Sequence, residues 1–207
     1  MLGRLHRITD TRFGRDPVAV LPAGLSAGVD VVQVRLKDLG DREVHAVTLE
    51  VVAMCAEYGA LCVVDDRLDV ALTAGAAGVH LGAEDLPVDA ARALAGPGFI
   101  IGATVRDPAG AIAAMAAGGS YLGVGPSFAT ATKAGLPSPI GPVGVGAVCA
   151  VATVPVIAIG GVRADRVAAL VEAGVHGVAV VDAVYGAGDP TSAVRKLRVA
   201  LGTPAVS

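Results

Sequence analysis

Hydrophobic residues along this chain occur in short runs that follow glycines, and the same order repeats four times. In each copy an alanine-rich stretch with helical spacing ends at an Ala-Gly pair, and an apolar run follows within a few residues. Glycine after a helix is typical of a C-terminal cap, and a short apolar run is typical of a buried strand. The four copies are residues 27–32, 74–79, 117–122 and 173–178.

The same pattern, read along the whole chain, predicts eight strands separated by helices. The predicted strands are residues 5–9, 31–34, 61–64, 79–81, 100–103, 121–124, 156–159 and 178–181. The predicted helices include residues 42–57, 88–94, 108–117, 164–173 and 190–201. Strict alternation of buried strands with helices indicates a parallel sheet with right-handed crossovers.

Eight strand–helix units within 207 residues favour closure of the sheet into a (β/α)8 barrel. An open doubly wound sheet would usually carry a glycine-rich phosphate turn after its first strand. The first strand here runs into Ile8-Thr9-Asp10-Thr11-Arg12, which has no such turn. We therefore expect an α/β fold, a small TIM barrel formed as a single domain by residues 1–207.

One long segment, residues 134–162, contains no charged residue, which is a feature of membrane-spanning helices. Four prolines interrupt it, at positions 137, 139, 142 and 155. A spanning helix needs about 20 continuous apolar residues. The interrupted pattern instead predicts a loop, a short helix and a buried strand.

Composition narrows the location and the partners of the protein. The chain is 54% hydrophobic but 3% aromatic, without tryptophan, which predicts a core of Val, Ala, Ile and Leu. A net charge of −3 gives no reason to expect a nucleic acid or an anionic membrane as partner.

Cys55, Cys62 and Cys149 are widely spaced in apolar settings and indicate free thiols in a reducing compartment. The N-terminus lacks the apolar core of a signal peptide, so a cytoplasmic location is expected, with a homo-oligomer left open.

Polar side chains follow several predicted strands, where a barrel would gather them at one mouth. After the second strand, period-two alternation places Gln33, Arg35 and Lys37 on one face. Two cations facing a barrel interior require an anionic ligand or carboxylates as partners. Asp66 and Asp85, after the third and fourth strands, offer hard oxygen ligands for Mg²⁺. The alternative for these two is a helix N-cap or a first-turn charge, which fits Asp85 well.

A second group of polar residues predicts a phosphate site. The segment from Gly123 to Lys133 follows an apolar run and presents the hydroxyls of Thr130 and Thr132 beside a lysine. The strand-seven loop adds Gly160-Gly161, and glycines with helix N-termini after strands seven and eight commonly bind phosphate in such barrels. Two anion-binding sectors at one mouth suit an enzyme that joins two phosphorylated small molecules. The four histidines, His80 among them, are expected to be structural.

These motifs together resemble the thiamine-phosphate synthase family over residues 5–201. The resemblance is carried by five segments, which are residues 33–37, 65–69, 78–86, 123–133 and 155–161. It implies a (β/α)8 transferase that joins hydroxymethylpyrimidine diphosphate to a thiazole phosphate and releases pyrophosphate. Mg²⁺ on Asp66 and Asp85 would assist the departure of pyrophosphate.

The resemblance also implies a role for each matching residue. Arg35, Thr104 and Lys133 would be catalytic. The pyrimidine diphosphate would be bound by Gln33, Arg35, Lys37, Asp65, Thr104 and Lys133. The thiazole phosphate would be bound by Thr130, Thr132, Gly161, Val181 and Asp182.

Four positions depart from the family pattern. Asp65 stands in place of Asn, Thr104 in place of Ser, Arg106 where His is frequent, and Asp182 in place of Ser. For Asp182 we expect a side chain that is turned out of the site or caps the following turn. These departures keep two alternatives open, a thiazole tautomerase-like relative and a non-catalytic barrel that binds phosphate ligands.

Overall fold

Eight parallel strands close into a barrel in the computed structural model, which describes residues 2–132 and 135–203. Each strand pairs with its neighbours in chain order, and β8 pairs with β1. The strands are β1 (Leu5–Ile8), β2 (Val31–Val34), β3 (Leu61–Asp65), β4 (Gly78–Leu81), β5 (Ile100–Val105), β6 (Tyr121–Val124), β7 (Val156–Ala158) and β8 (Gly177–Val180).

Helices follow each strand and cover the outside of the barrel. They are α1 (Leu21–Ser26), α2 (Asp41–Glu57), α3 (Leu68–Thr73), α4 (Val88–Ala95), α5 (Pro108–Ala116), α6 (Gly141–Cys149), α7 (Ala164–Glu172), α8 (Asp182–Tyr185) and α9 (Pro190–Ala200). A 3₁₀ turn, Arg12–Gly14, lies between β1 and α1. None of the helices in this described part of the chain is long and apolar enough to cross a membrane.

The predicted barrel is confirmed, and the strand boundaries differ by one or two residues at several ends. β1 ends at Ile8 and β7 at Ala158, one residue earlier than predicted, whereas β5 extends two residues further, to Val105. The uncharged segment divides as expected into a loop, α6 and β7 over its described residues. The short helices α1, α3 and α8 were not predicted, since six residues or fewer give too little periodicity.

The glycines of the four sequence repeats end helices in the expected way. Their φ angles are all positive, a backbone region that costs glycine nothing and other residues more. The values are +104° at Gly28, +71° at Gly75, +95° at Gly118 and +97° at Gly174. Each repeat is therefore a helix end that turns the chain directly into the next strand.

Alternation along the strands divides the buried residues into two sets. Leu5 packs with the outer core between barrel and helices, whereas Ile8 belongs to a small inner cluster with Tyr121, Ile157 and Ala179. The outer core consists mainly of valine, leucine and alanine, as the composition predicts. The barrel interior is thus only partly apolar, and its remaining positions carry the polar groups described below.

The three cysteines are free thiols, as expected from their spacing. Cys55 and Cys62 are buried and Cys149 is partly buried. Burial raises the pKa of Cys55 to about 12, and it also raises the pKa of Cys62. These thiols stay protonated near neutral pH and are unreactive, which indicates a packing role.

Replacement of Gly177 by alanine is expected to destabilise the barrel. A Cβ atom there would lie 2.0 Å from the Arg4 carbonyl oxygen, which accepts a bond from the Val178 amide. Relief of that overlap must move two paired strands, so Gly177→Ala should lower the free energy of unfolding by about 2 kcal/mol or more. Urea denaturation measures the loss. Gly98→Ala is the control, because nothing lies within 4 Å of its added Cβ; equal stability of the two variants would contradict the prediction.

Candidate active site

A cavity of about 1600 Å³ opens at the carboxyl ends of the strands. Every described residue to which the sequence assigns a site role lines it. These residues are Gln33, Arg35, Lys37, Asp65, Asp66, Asp85, Thr104, Thr130, Thr132, Gly161, Val181 and Asp182. Lys133 lies outside the described residues, so its predicted role stays a prediction.

Asp65 is the centre of a cation sector on one side of the cavity. The Gln33 side-chain amide donates to its carboxylate at 2.8 Å. Arg35 Nε and Lys37 Nζ each lie 3.5 Å from the same carboxylate. The expected inward face of β2 is therefore present, and Asp65 supplies a negative charge shared by two cations, of which Arg35 is partly buried and Lys37 is exposed. An aspartate at this position gives Arg35 and Lys37 a shared counter-charge, which an asparagine would not supply.

Asp66 and Asp85 face the same cavity from neighbouring loops. Asp66 has a φ of +61°, an uncommon backbone for a non-glycine residue, and its carboxylate pairs with Lys37. Its amide donates to the His80 carbonyl oxygen at 2.8 Å, which joins the ends of β3 and β4. The Asp85 carboxylate accepts from the Gly82 amide at 2.6 Å. Both carboxylates are thus fixed locally, with oxygen atoms available toward the cavity.

The floor of the cavity is built from side chains inside the barrel. His80 Nδ1 lies 2.9 Å from the Tyr121 hydroxyl, and His80 Nε2 lies 2.9 Å from the Thr104 hydroxyl. Glycines leave room for the imidazole, because a Cβ at Gly123 would lie 2.6 Å from His80 Cε1 and one at Gly102 would overlap Tyr121. Thr104 is exposed to the cavity although it belongs to a strand.

The floor is uncharged near neutral pH. Burial lowers the pKa of His80 and raises the pKa of Tyr121. The neighbouring His6 is 1% exposed, and burial lowers its pKa to about 4. A neutral imidazole donates through one ring nitrogen and accepts through the other, so His80 relays a hydrogen bond between Tyr121 and Thr104. This surface is suited to a neutral heteroaromatic ring.

Two glycine-dependent loops form the opposite sector. Gly161 has a φ of +62°, and a Cβ there would lie 2.5 Å from the Ala129 carbonyl oxygen. The β7–α7 loop therefore contacts the β6–α6 loop closely, as only glycine permits. In the latter loop the Thr130 hydroxyl donates to the Thr132 hydroxyl at 2.9 Å. The predicted phosphate-binding segments thus lie side by side.

The expectation for Asp182 is wrong, because its side chain neither leaves the site nor caps a turn. Val181 precedes α8 without a capping side-chain bond. The Asp182 carboxylate accepts from Arg12 Nη2 at 3.0 Å, from Arg15 Nη1 at 2.8 Å and from the Thr132 hydroxyl at 2.9 Å. Two guanidinium groups therefore neutralise the carboxylate that stands here in place of a serine.

Sequence reasoning missed several residues that the structure brings to the cavity. His80 was assigned a structural role, although period-two alternation from Gly78 places it inside the barrel. Tyr121 could have been found in the same way, two residues before Gly123. Arg12 and Arg15 lie in and directly after the 3₁₀ turn between β1 and α1, which is too short for a periodicity to identify the side chains that turn toward the mouth.

The stability of the protein should fall as the pH decreases from 7 to 5, with His6 as one cause. The pKa of His6 is lowered to about 4 in the folded chain, so below pH 6.5 the unfolded chain binds a proton that the folded chain excludes. This difference costs about 2 kcal/mol of unfolding free energy between pH 7 and pH 5. Denaturant unfolding at pH 7 and pH 5 should show that His6→Gln loses less unfolding free energy between these pH values than the wild-type chain does. His45→Gln, on the outer helix α2, should retain the wild-type loss; an unchanged loss in His6→Gln would contradict the assignment.

Comparison with known proteins agrees with this geometry. Residues 5–184 match the family model described as thiamine monophosphate synthase. The chain is 53% identical over 203 residues to the thiamine-phosphate synthase of Salinispora tropica, covering 97% of this chain and 98% of that protein. It is 53% identical over 195 residues to that of Salinispora arenicola, covering 93% and 94%.

A solved structure of similar sequence has the same fold. The thiamine phosphate pyrophosphorylase from Pyrococcus furiosus superposes with a TM-score of 0.89 at 37% identity, covering 96% of this chain and 95% of that one. The full-length match, the closed barrel and the residues at its mouth lead to one conclusion. The chain belongs to the thiamine monophosphate synthase family.

Proposed function

We propose that this chain is a transferase that couples hydroxymethylpyrimidine diphosphate to a thiazole phosphate, giving thiamine phosphate and pyrophosphate. The observation that carries the proposal is the pair of anion-binding sectors on one cavity, one around Asp65 and one around Thr130 and Thr132. Two phosphorylated substrates need two such sectors, separated by room for their rings. The relatives at 53% identity are named for the same activity.

In this proposal the cation sector binds the diphosphate. Arg35 and Lys37 exchange part of their pairing with Asp65 for phosphate oxygens, and Gln33 and Asp65 hold the two cations in place. The Thr104 hydroxyl, at the cavity end of β5, donates to the same group. Lys133 adds a further ammonium from the β6–α6 loop. The polar and charged contacts are stronger here than in water because the cavity walls are partly apolar.

Asp66 and Asp85 fit the coordination habits of Mg²⁺. No group of three or more candidate metal ligands exists among residues 2–132 and 135–203. Mg²⁺ commonly binds through one or two protein carboxylates and takes its other oxygens from water and substrate phosphate. Two fixed carboxylates beside the cation sector match that donor set. When bound, Mg²⁺ supplies positive charge that stabilises the departing pyrophosphate.

The chemistry that remains for the protein is charge stabilisation and positioning. Loss of pyrophosphate leaves a pyrimidine-methyl cation stabilised by resonance, so no protein nucleophile is needed. Arg35, Lys37 and Lys133 offset the charge that develops on the leaving group. The neutral floor of His80 and Tyr121 packs against the pyrimidine ring and holds the cation near the thiazole nitrogen. Bond formation between that nitrogen and the methylene carbon completes the coupling.

The second sector binds the thiazole phosphate in this proposal. Thr130, Thr132 and the Gly161 loop supply hydroxyl and backbone donors, and Val181 contributes apolar contact beside Asp182. The tautomerase-like alternative needs a histidine at the position of Arg106. A guanidinium does not exchange protons readily, and Arg106 Nη2 instead donates to the Ser138 carbonyl oxygen at 2.8 Å.

The proposal extends to the whole chain and its location. We propose that residues 1–207 act as one catalytic domain, since the cavity draws residues from β1 through α9. A cytoplasmic location is supported by the three free thiols, because disulfides form readily in oxidising compartments.

Pyrophosphate release tests the proposed function directly. The purified chain, mixed with both substrates and Mg²⁺, should release pyrophosphate and form thiamine phosphate in equal amounts. Omission of either substrate should abolish both products. Binding of both substrates without product would contradict the proposal and favour a non-catalytic barrel, whereas turnover of a thiazole alone would favour the tautomerase.

Replacement of either proposed magnesium ligand should abolish coupling. Asp66→Asn keeps a side chain that tolerates the positive φ, and Asp85→Asn keeps an acceptor for the Gly82 amide. Each should lower kcat at least about 100-fold, equivalent to about 3 kcal/mol, with an unchanged melting temperature. Asp89→Asn, an exposed first-turn residue of α4, is the matched control. Near-normal turnover in both variants, together with indifference to EDTA, would rule out the metal role.

A further inference from the structure

The carboxylate of Asp182 is held as a phosphate would be held. Its partners come from two loops that are far apart in sequence, namely Arg12 and Arg15 after β1 and Thr132 after β6. Two guanidinium groups and a hydroxyl around one anion form a typical phosphate-binding arrangement. The Asp182 side chain is 47% exposed, on the cavity wall.

A second carboxylate, that of Asp10, anchors the same two arginines from below. Arg12 donates to Asp10 Oδ1 through Nε at 2.8 Å and to Asp10 Oδ2 through Nη2 at 2.9 Å, and Arg15 Nη1 donates to the same Oδ2 at 2.5 Å. Asp10 is 2% exposed, so this contact is shielded from water. Burial opposes ionisation of Asp10, but the hydrogen bonds from Arg12 and Arg15 keep its pKa lowered. The arginines therefore stay in place without Asp182.

Tyr185 supports the same arrangement. Its ring lies 5.2 Å from the Arg15 guanidinium carbon and 4.4 Å from that of the fully buried Arg7. Its hydroxyl donates to the Pro17 carbonyl oxygen at 2.9 Å, which fixes the β1–α1 loop against α8. Arg12 and Arg15 thus face the carboxylates of Asp10 and Asp182, whereas Arg7 packs on the Tyr185 ring, and loss of the Asp182 charge makes this cluster more positive by one unit.

The hydroxyl groups of the predicted phosphate site are also directed at Asp182. Thr130 donates to Thr132, and Thr132 donates to the Asp182 carboxylate. Each hydroxyl has a single proton to donate, so the hydroxyl protons that a phosphate would use are engaged by this chain. An incoming phosphate must replace the carboxylate to receive them.

We propose that Arg12 and Arg15 are ligands of the thiazole phosphate and that Asp182 occupies their binding site as an internal anion until the substrate displaces it. That the bound phosphate belongs to the thiazole substrate rests on the proposed function. That a phosphate binds at this place rests on the geometry of the two arginines. The dianionic phosphate binds the two arginines and Thr132 more strongly than a single carboxylate does. The displaced, half-exposed Asp182 turns to water. Asp182 thereby prevents anions that bind the two arginines more weakly than its own carboxylate from occupying the site.

Removal of the Asp182 charge should tighten phosphate binding. Asp182→Asn should bind the thiazole phosphate five- to tenfold more tightly in isothermal titration, with Mg²⁺ and pyrophosphate present to fill the cation sector. Inorganic phosphate, used as a second probe, should also bind more tightly to Asp182→Asn than to the wild-type chain. Asp165→Asn is the matched control, because it removes an exposed carboxylate from the same cavity that pairs with Arg163 and not with Arg12 or Arg15. Its affinity should stay within twofold of wild type.

Removal of the arginines should act in the opposite direction. Arg12→Gln and Arg15→Gln should each weaken binding of the thiazole phosphate at least tenfold, with kcat at saturation less affected than KM. Arg195→Gln removes an exposed guanidinium of α9 that does not line the cavity and should leave this affinity within twofold of wild type. Unchanged binding in both Arg12→Gln and Arg15→Gln would overturn the proposal.

Two further results keep the outcome decisive. Asp182→Ser repeats the removal with a different side chain, so that a folding defect in one variant does not hide the effect. Weaker or unchanged binding in the folded Asp182 variants would overturn the proposal and make Asp182 a structural anchor for the arginines. The binding measurement does not depend on turnover, so the two proposals can fail separately. If the Asp182 variants bind phosphate more tightly but the wild-type chain never couples the two substrates, the proposed function is rejected. The proposed role of Arg12, Arg15 and Asp182 in phosphate binding then still holds.

Discussion

Closure of eight parallel strands is the constraint on which the rest of this structure depends. Every second side chain of each strand must then point into a narrow interior, and successive strands must approach closely. Glycine at positions such as Gly78 and Gly177 meets that demand, because a Cβ there would overlap backbone of a neighbouring strand or segment. Inward-facing residues near the carboxyl ends of the strands lie above the packed interior, and they line the cavity. The gathering of these polar side chains at one mouth is therefore a consequence of closure.

Charge pairing at the mouth follows from the same geometry. Carboxylates and cations emerge from adjacent strands into a partly apolar cavity, where an unpaired charge is costly. Asp65 is paired with Arg35 and Lys37, and Asp182 with Arg12 and Arg15. In both sectors an internal carboxylate occupies cations that suit a phosphate. In the proposed function, substrate binding is then an exchange of anions, which favours the more highly charged ligand.

This view gives the departures from the family pattern a physical reason. An aspartate at either position 65 or position 182 would repel a phosphate if it stood alone. Each instead lies among cations, and at Asp182 the added negative charge is matched by two arginines on the neighbouring loop. In the proposed function, Arg12 and Arg15 compensate for the carboxylate at position 182.

The sequence by itself determined the fold class, the alternation of strands with helices and the inward face of β2. Those features depend on local periodicities of 2 and 3.6 residues, which a single chain displays directly. It also identified the chemical types at the mouth, including Asp66, Asp85 and Thr104. The partners of Asp182 were decided by tertiary structure alone, since Arg12 is 170 residues away in sequence. Closure pairs β8 with β1 and brings their loops together, and no local pattern encodes which side chains then meet.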